Sequence, residues 1–124
     1  MTLSTATDIS VNFGIIHTDL RGNIIDCDHG FAVLLGIDRF DALGRSVREF
    51  AKEQDGNSPQ YMISILVRTG EPMSIRRTFA HPDGTLAACI VQLCLLRDAT
   101  GQPHSVIGVG QLVAGIDLRT SAAR

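Results

Sequence analysis

The sequence has no surplus of positive charge, no even set of cysteines and no apolar run of the ~20 residues that a membrane-spanning helix needs. Its formal net charge of -2 provides no basic field to gather phosphate backbones, so direct nucleic-acid binding is not expected. Cys27, Cys89 and Cys94 are odd in number and irregular in spacing. They cannot close a disulfide framework, and they fit a reducing compartment, the cytoplasm. The start Met1-Thr2-Leu3-Ser4-Thr5 lacks the basic-then-apolar order of a signal peptide, so no membrane association is expected. There is no Gly-x-Ser-x-Gly elbow, no phosphate loop and no Glu/His pair of recognised spacing, which leaves no catalytic residue to name. No His-x-x-x-His or Cys-x-x-Cys spacing points to a metal.

What is present is an ordinary globular composition, 44% hydrophobic and 19% charged, in 124 residues, which is one domain's worth. Residues 1–10 are expected to be a flexible segment, 11–117 the folded domain and 118–124 the stub of a linker. Phe13 to Thr18 and Ile24 to Cys27 read as a hairpin turned by Asp19-Leu20-Arg21-Gly22-Asn23. Phe31, Leu34 and Leu35 then repeat at helical spacing, with Asp28 to cap the turn and Gly36 to stop it. Asp38 opens a second short helix through Phe40 and Leu43, and Ser46 with Glu49 has capping-box spacing for a third, running to Glu53. Ser58-Pro59 starts the longest helix, with Met62, Ile65 and Leu66 on one face and Thr69-Gly70 at its end. Strand patterning follows: Met73 to Phe79, a turn at His81 to Thr85, Leu86 to Leu96, a turn at Asp98 to Pro103, and Val106 to Val113. Leu86 to Leu96 is apolar on both parities, as in a central strand covered on both faces.

This order, with three local stretches, resembles the PAS family. Gly14 to Ile24 is similar to that family's opening hairpin with its Asp-x-x-Gly-x-Ile turn. Asp28-His29-Gly30-Phe31-Ala32-Val33-Leu34-Leu35-Gly36 is similar to Asn-x-Ala-Phe-x-x-Leu-Leu-Gly, with Asp28 in the Asn place. Thr69-Gly70, Asp83-Gly84-Thr85 and Arg97-Asp98-Ala99-Thr100-Gly101 match its late hairpins. The resemblance implies an α+β fold of order β-β-α-α-α-α-β-β-β, a five-stranded antiparallel sheet with short helices over one face and a cavity between. It also implies a sensor without catalysis, either binding a small organic ligand or acting as a ligand-free interaction module. The implied partners are a second copy, in a homodimer, and an output domain such as a histidine kinase or a helix-turn-helix transcription regulator.

Flavin and haem are not expected as cofactors. Flavin-bonding members carry Asn-Cys-Arg-Phe-Leu-Gln where this chain reads Val47-Arg48-Glu49-Phe50-Ala51-Lys52, and Tyr61 to Arg68 holds no histidine for a haem. Strand parity offers pocket candidates: Ile15, Ile25 and Cys27, then Ile75, Arg77 and Phe79, then Ile90, Gln92, Val109 and Gln111. The helices add Phe50, Met62 and Leu66, and His17 is watched because one parity of the first strand faces the cavity. Arg77 interrupts an apolar parity, so it is expected to meet an acid, an anionic ligand group or the pocket's edge. An enzyme of the ketosteroid-isomerase kind would need a carboxylate inside the cavity, and no apolar-flanked acid is available.

Overall fold

A computed structural model of the chain describes residues 13–52 and 58–117, with side chains through Val113. The expected flexible segment and the linker stub lie outside the described residues, whereas the third helix expected to run to Glu53 is only a 3₁₀ turn that ends at Glu49, after which Ala51 forms a bridge to Phe79 of the sheet. Five strands, β1 (Phe13–Asp19), β2 (Ile24–Cys27), β3 (Met73–Ala80), β4 (Thr85–Arg97) and β5 (Pro103–Asp117), form one antiparallel sheet ordered β2-β1-β5-β4-β3. Between β2 and β3 come α1 (His29–Leu35), α2 (Arg39–Ala42), a 3₁₀ turn at Val47–Glu49 and α3 (Pro59–Thr69). This is the α+β architecture that the sequence implied.

Each helix starts and stops where local chemistry directs. Asp28 caps α1 by accepting from the Phe31 N–H at 2.8 Å, and the same carboxylate oxygen accepts from the Ile15 N–H of β1 at 3.0 Å. One side chain therefore both starts α1 and ties it to the sheet. Gly36 closes that helix in the left-handed region at φ 79°, and the His81 ring, from the β3–β4 turn, meets the Leu34 carbonyl at 2.8 Å. Ser46 and Glu49 complete a capping box, and Ser58, Pro59 and Gly70 bound α3. The second helix is shorter than expected: it ends at Ala42 and leaves Phe40 exposed.

The helices seat on the sheet through a backbone contact that only glycine permits. A Cβ on Gly14 would run into the Phe31 amide nitrogen, and one on Gly30 into the Phe13 carbonyl. Beneath α1 the core gathers Ile16, Phe31, Leu34, Leu35, Phe79 and Val91, and a second cluster joins Ile63 and Leu66 of α3 to Val106. β4 departs from the expectation of a strand covered on both faces. Ala87, Cys89 and Val91 are buried on the helical side, whereas Gln92, Cys94 and Leu96 are exposed on the other. The central strand is β5, paired with β1 from Ser105 to Gln111 and with β4 from Pro103 to Asp117.

Two turns carry carboxylates held in the charged form. Asp98 accepts from the Thr100 hydroxyl (2.6 Å), the Thr100 N–H (2.9 Å) and the Gln102 N–H (3.1 Å), and these bonds hold it below its ordinary 3.8. At Asp19 burial pushes upward, but hydrogen bonds from Asn23 and the Arg21 N–H outweigh it, so its pKa is also lowered. A folded pKa below the unfolded one contributes stability above pH 3.8 that is lost as the pH falls further. The urea midpoint should therefore fall on acidification from pH 4 toward 2, and less steeply in Asp98→Asn. An identical acid profile for that variant would show that the turn contributes nothing.

Candidate functional site

The space between the inner face of the sheet and the helices is a cavity of about 60 Å³. Its sheet wall comes from Ile16 and Thr18 of β1, Val106 and Gly108 of β5, Val91 and Leu93 of β4, and Ile75, Arg77 and Phe79 of β3. Its helical wall comes from Phe31, Val47, Ala51, Pro59, Met62 and Ile63. Phe31 and Phe79 meet edge to face, with centroids 5.8 Å apart, at one end. Gly108 lies in the wall because there is no room for more: a Cβ there would approach Ile16 Cγ2 to 2.9 Å and Val91 Cγ1 to 3.3 Å.

Polar atoms are scarce in this lining. The Thr18 hydroxyl donates to the Asp19 carbonyl at 2.9 Å. Arg77 is 6% exposed and already engaged within the protein. None of the lining residues is Asp or Glu, so the carboxylate that an isomerase would require is missing from the described wall. Among the described residues no group of three or more His, Cys, Asp or Glu is arranged to hold a metal ion, and no helix is long and apolar enough to cross a membrane.

Of the pocket candidates read from the sequence, the structure brings Ile75, Arg77, Phe79 and Met62 to the cavity. Phe50 and Leu66 are buried but stand behind the lining, Phe50 with the Arg45 guanidinium 4.8 Å from its ring centre. His17, Ile90, Gln92, Val109 and Gln111 lie on the opposite face of the sheet, as does Ile15, while Ile25 is exposed on β2. His17 is held there by the Ser105 hydroxyl at 2.8 Å. Cys27 is buried in the core, away from the cavity. The parity of β1, β4 and β5 was read one residue out of step, because both parities of these strands are apolar. What sets it is α1, which lies so close to the sheet that the residues beneath it must be Gly14 and Gly110; a Cβ on Gly110 would stand 2.8 Å from Phe31 Cε2. Ile16, Thr18, Val91, Leu93, Val106 and Gly108 were missed for that reason. The alignment of glycines on one parity was the signal that could have found them.

The thiols divide by burial. Burial pushes Cys89 up to about 11, and burial followed by the Asp26 charge raises Cys27, whereas Cys94 is exposed on the outer face. In native protein a disulfide reagent at neutral pH should label Cys94 alone, with Cys27 and Cys89 reacting only in denaturant. Mass spectrometry after brief labelling reads this, and a rapidly modified Cys89 would contradict the packing described.

Known proteins share this architecture. The PAS domain of an HTR-like protein from Haloarcula marismortui is 22% identical, with a TM-score of 0.69 over 90% of this chain and 92% of that one. A PAS domain from Colwellia psychrerythraea is 21% identical, with a TM-score of 0.70 over 90% and 96%. PAS-B of Drosophila melanogaster Cycle, solved with bound ethylene glycol, is 14% identical, with a TM-score of 0.70 over 80% and 98%. No curated protein matches the chain. At these identities the structures speak for the fold alone. The family profile described as the PAS fold matches residues 9–113, and the chain therefore belongs to the PAS family.

Proposed function

We propose that the chain is the regulatory sensor module of a bacterial-type signalling protein, a histidine kinase or a helix-turn-helix transcription regulator, working in the cytoplasm. It performs no catalysis; it binds a small organic ligand in the cavity and so controls an attached output domain. The observation that carries this reading is that Val106 and Gly108, both on β5, form part of the cavity wall. A ligand touching them acts on the strand that leads toward the C-terminal segment. A cavity of about 60 Å³, against the ~300–1,000 Å³ of sites for drug-sized ligands, supports an occupant smaller than a flavin ring system or a haem. The purified protein should be colourless. Mass spectrometry of molecules released on denaturing protein purified without additives is the direct test. A released compound that rebinds and protects the fold supports the reading; a visible absorption band that stays with the folded protein would sink it.

A second reading, an interaction module that only dimerises, is favoured by the outer face of the sheet. Phe13 is 50% exposed and Ile15 43% on β1, and Val113 is 53% exposed on β5. Apolar surface of that kind commonly marks an interface. Light scattering should give a dimer mass, and a monomer at high micromolar concentration would count against it.

A further inference from the structure

We propose that the cavity selects neutral, largely apolar molecules of about four to five non-hydrogen atoms, short-chain alcohols and compact hydrocarbons in class. The proposal rests on the reading of the cavity as a ligand site and adds to it the size, charge and polarity of the ligand. The size follows from the volume. One water-sized sphere needs roughly 10–15 Å³, and a cavity of about 150 Å³ is what holds benzene. At about 60 Å³ this space admits something smaller than an aromatic ring.

Charge follows from the lining. With no Asp or Glu in the described wall, an ammonium group has no counter-charge there. Arg77 is its one cation among the described residues and is already engaged, so a carboxylate would have to draw it from its present interaction or remain buried without a match. Polarity follows from Thr18. Its single proton goes to the Asp19 carbonyl at 2.9 Å, so toward the cavity Thr18 Oγ1 offers lone pairs only. A ligand hydroxyl can donate to it; a carbonyl or an ionised acid cannot. Ile16, Met62, Val91 and Leu93 present hydrocarbon to the rest of the molecule.

The test uses the full chain and four probes: butan-1-ol, xenon, sodium butyrate and benzene, each followed by NMR of ¹³C-labelled methyl groups. Butan-1-ol and xenon should give saturable shifts at Met62, Val91 and Leu93, with butyrate and benzene at least about tenfold weaker, the order of a mismatch in charge or size. Thr18→Val should weaken butan-1-ol by about tenfold, the loss of one buried hydrogen bond, and leave xenon unchanged. Should Thr18→Val not fold, the ranking of the four probes on the parent protein still decides. Butyrate binding as tightly as butan-1-ol overturns the neutral class, and benzene binding as tightly overturns the size limit; both outcomes leave the cavity a ligand site. If no probe moves these methyls, the ligand-site reading falls together with this one and the dimerisation module stands.

Discussion

Gly30→Ala should lower the stability of this chain severely. The added methyl would collide with the Phe13 carbonyl, which is backbone in a paired strand and cannot swing aside as a side chain would. Relief requires α1 to lift from β1, which breaks the Asp28 contact to Ile15 and exposes the face carrying Phe31, Leu34 and Leu35. Overpacking at a rigid contact combined with lost burial belongs to the severe class of substitution, about 4 kcal/mol or more. Domains of this kind have about 5–15 kcal/mol in total. Urea denaturation followed by circular dichroism should show a midpoint far below that of the parent protein at 25 °C. A midpoint close to that of the parent protein would mean that the helix is not held at this distance, and the explanation given for the inner parity of β1 would fail with it.

Phe31→Ala should be nearly as costly, but recoverable. Phe31 is buried between Phe79, Leu34 and the bare backbone of Gly110, and truncation removes its ring without giving the neighbours a way to close the gap. A loss of about 3–5 kcal/mol is expected, part transfer and part void. The void would join a cavity that the parent chain keeps at about 60 Å³, bringing it into the range that accepts benzene. Benzene should therefore raise the melting temperature of Phe31→Ala and leave that of the parent almost unchanged. Equal effects on both proteins would show that the ring does not bound the cavity.

The elements were legible in the sequence where their signals are local. Asp28, Ser46 with Glu49, Ser58-Pro59 and the glycines at 36 and 70 act through bonds within four residues of themselves, and the structure places each at the boundary it marked. The facing of β3 was legible too, since Ser74, Arg76 and Thr78 set off the apolar parity around Arg77. In β1 and β5 nothing local decides, because Ile15 and Ile16, or Val106, Ile107 and Val109, suit either face of a pleated sheet. The choice is made by α1, a contact distant in sequence, and it shows in the chain only as glycines at 14, 108 and 110. For β4 the polar Gln92 was the better guide: read as a residue of the sheet surface it faces the strand as the structure does, and set among the pocket candidates it turns the strand over. The volume of the cavity has no sequence signature at all. It is the gap left after α3 and the sheet pack, and Ile63, which helps to bound it, differs from Met62 by one step around the same helix.

The unequal lengths of the strands beside β5 give that strand two mechanical regimes. From Ser105 to Gln111 it is gripped on both sides, by β1 and by β4. From Leu112 to Asp117 its partner among the described residues is β4 alone, in the pairing that runs from Cys89 back to Thr85. A two-stranded ribbon is marginal in water, so these last residues should open at lower free energy than the rest of the strand. Tension or twist arriving from beyond Asp117 would act on them as on a zip, parting the ribbon one bond pair at a time and stopping at Gln111, where the second grip begins. The cavity wall at Val106 and Gly108 lies within the doubly gripped length, so a shift of the strand there is carried as far as Gln111 before the ribbon begins.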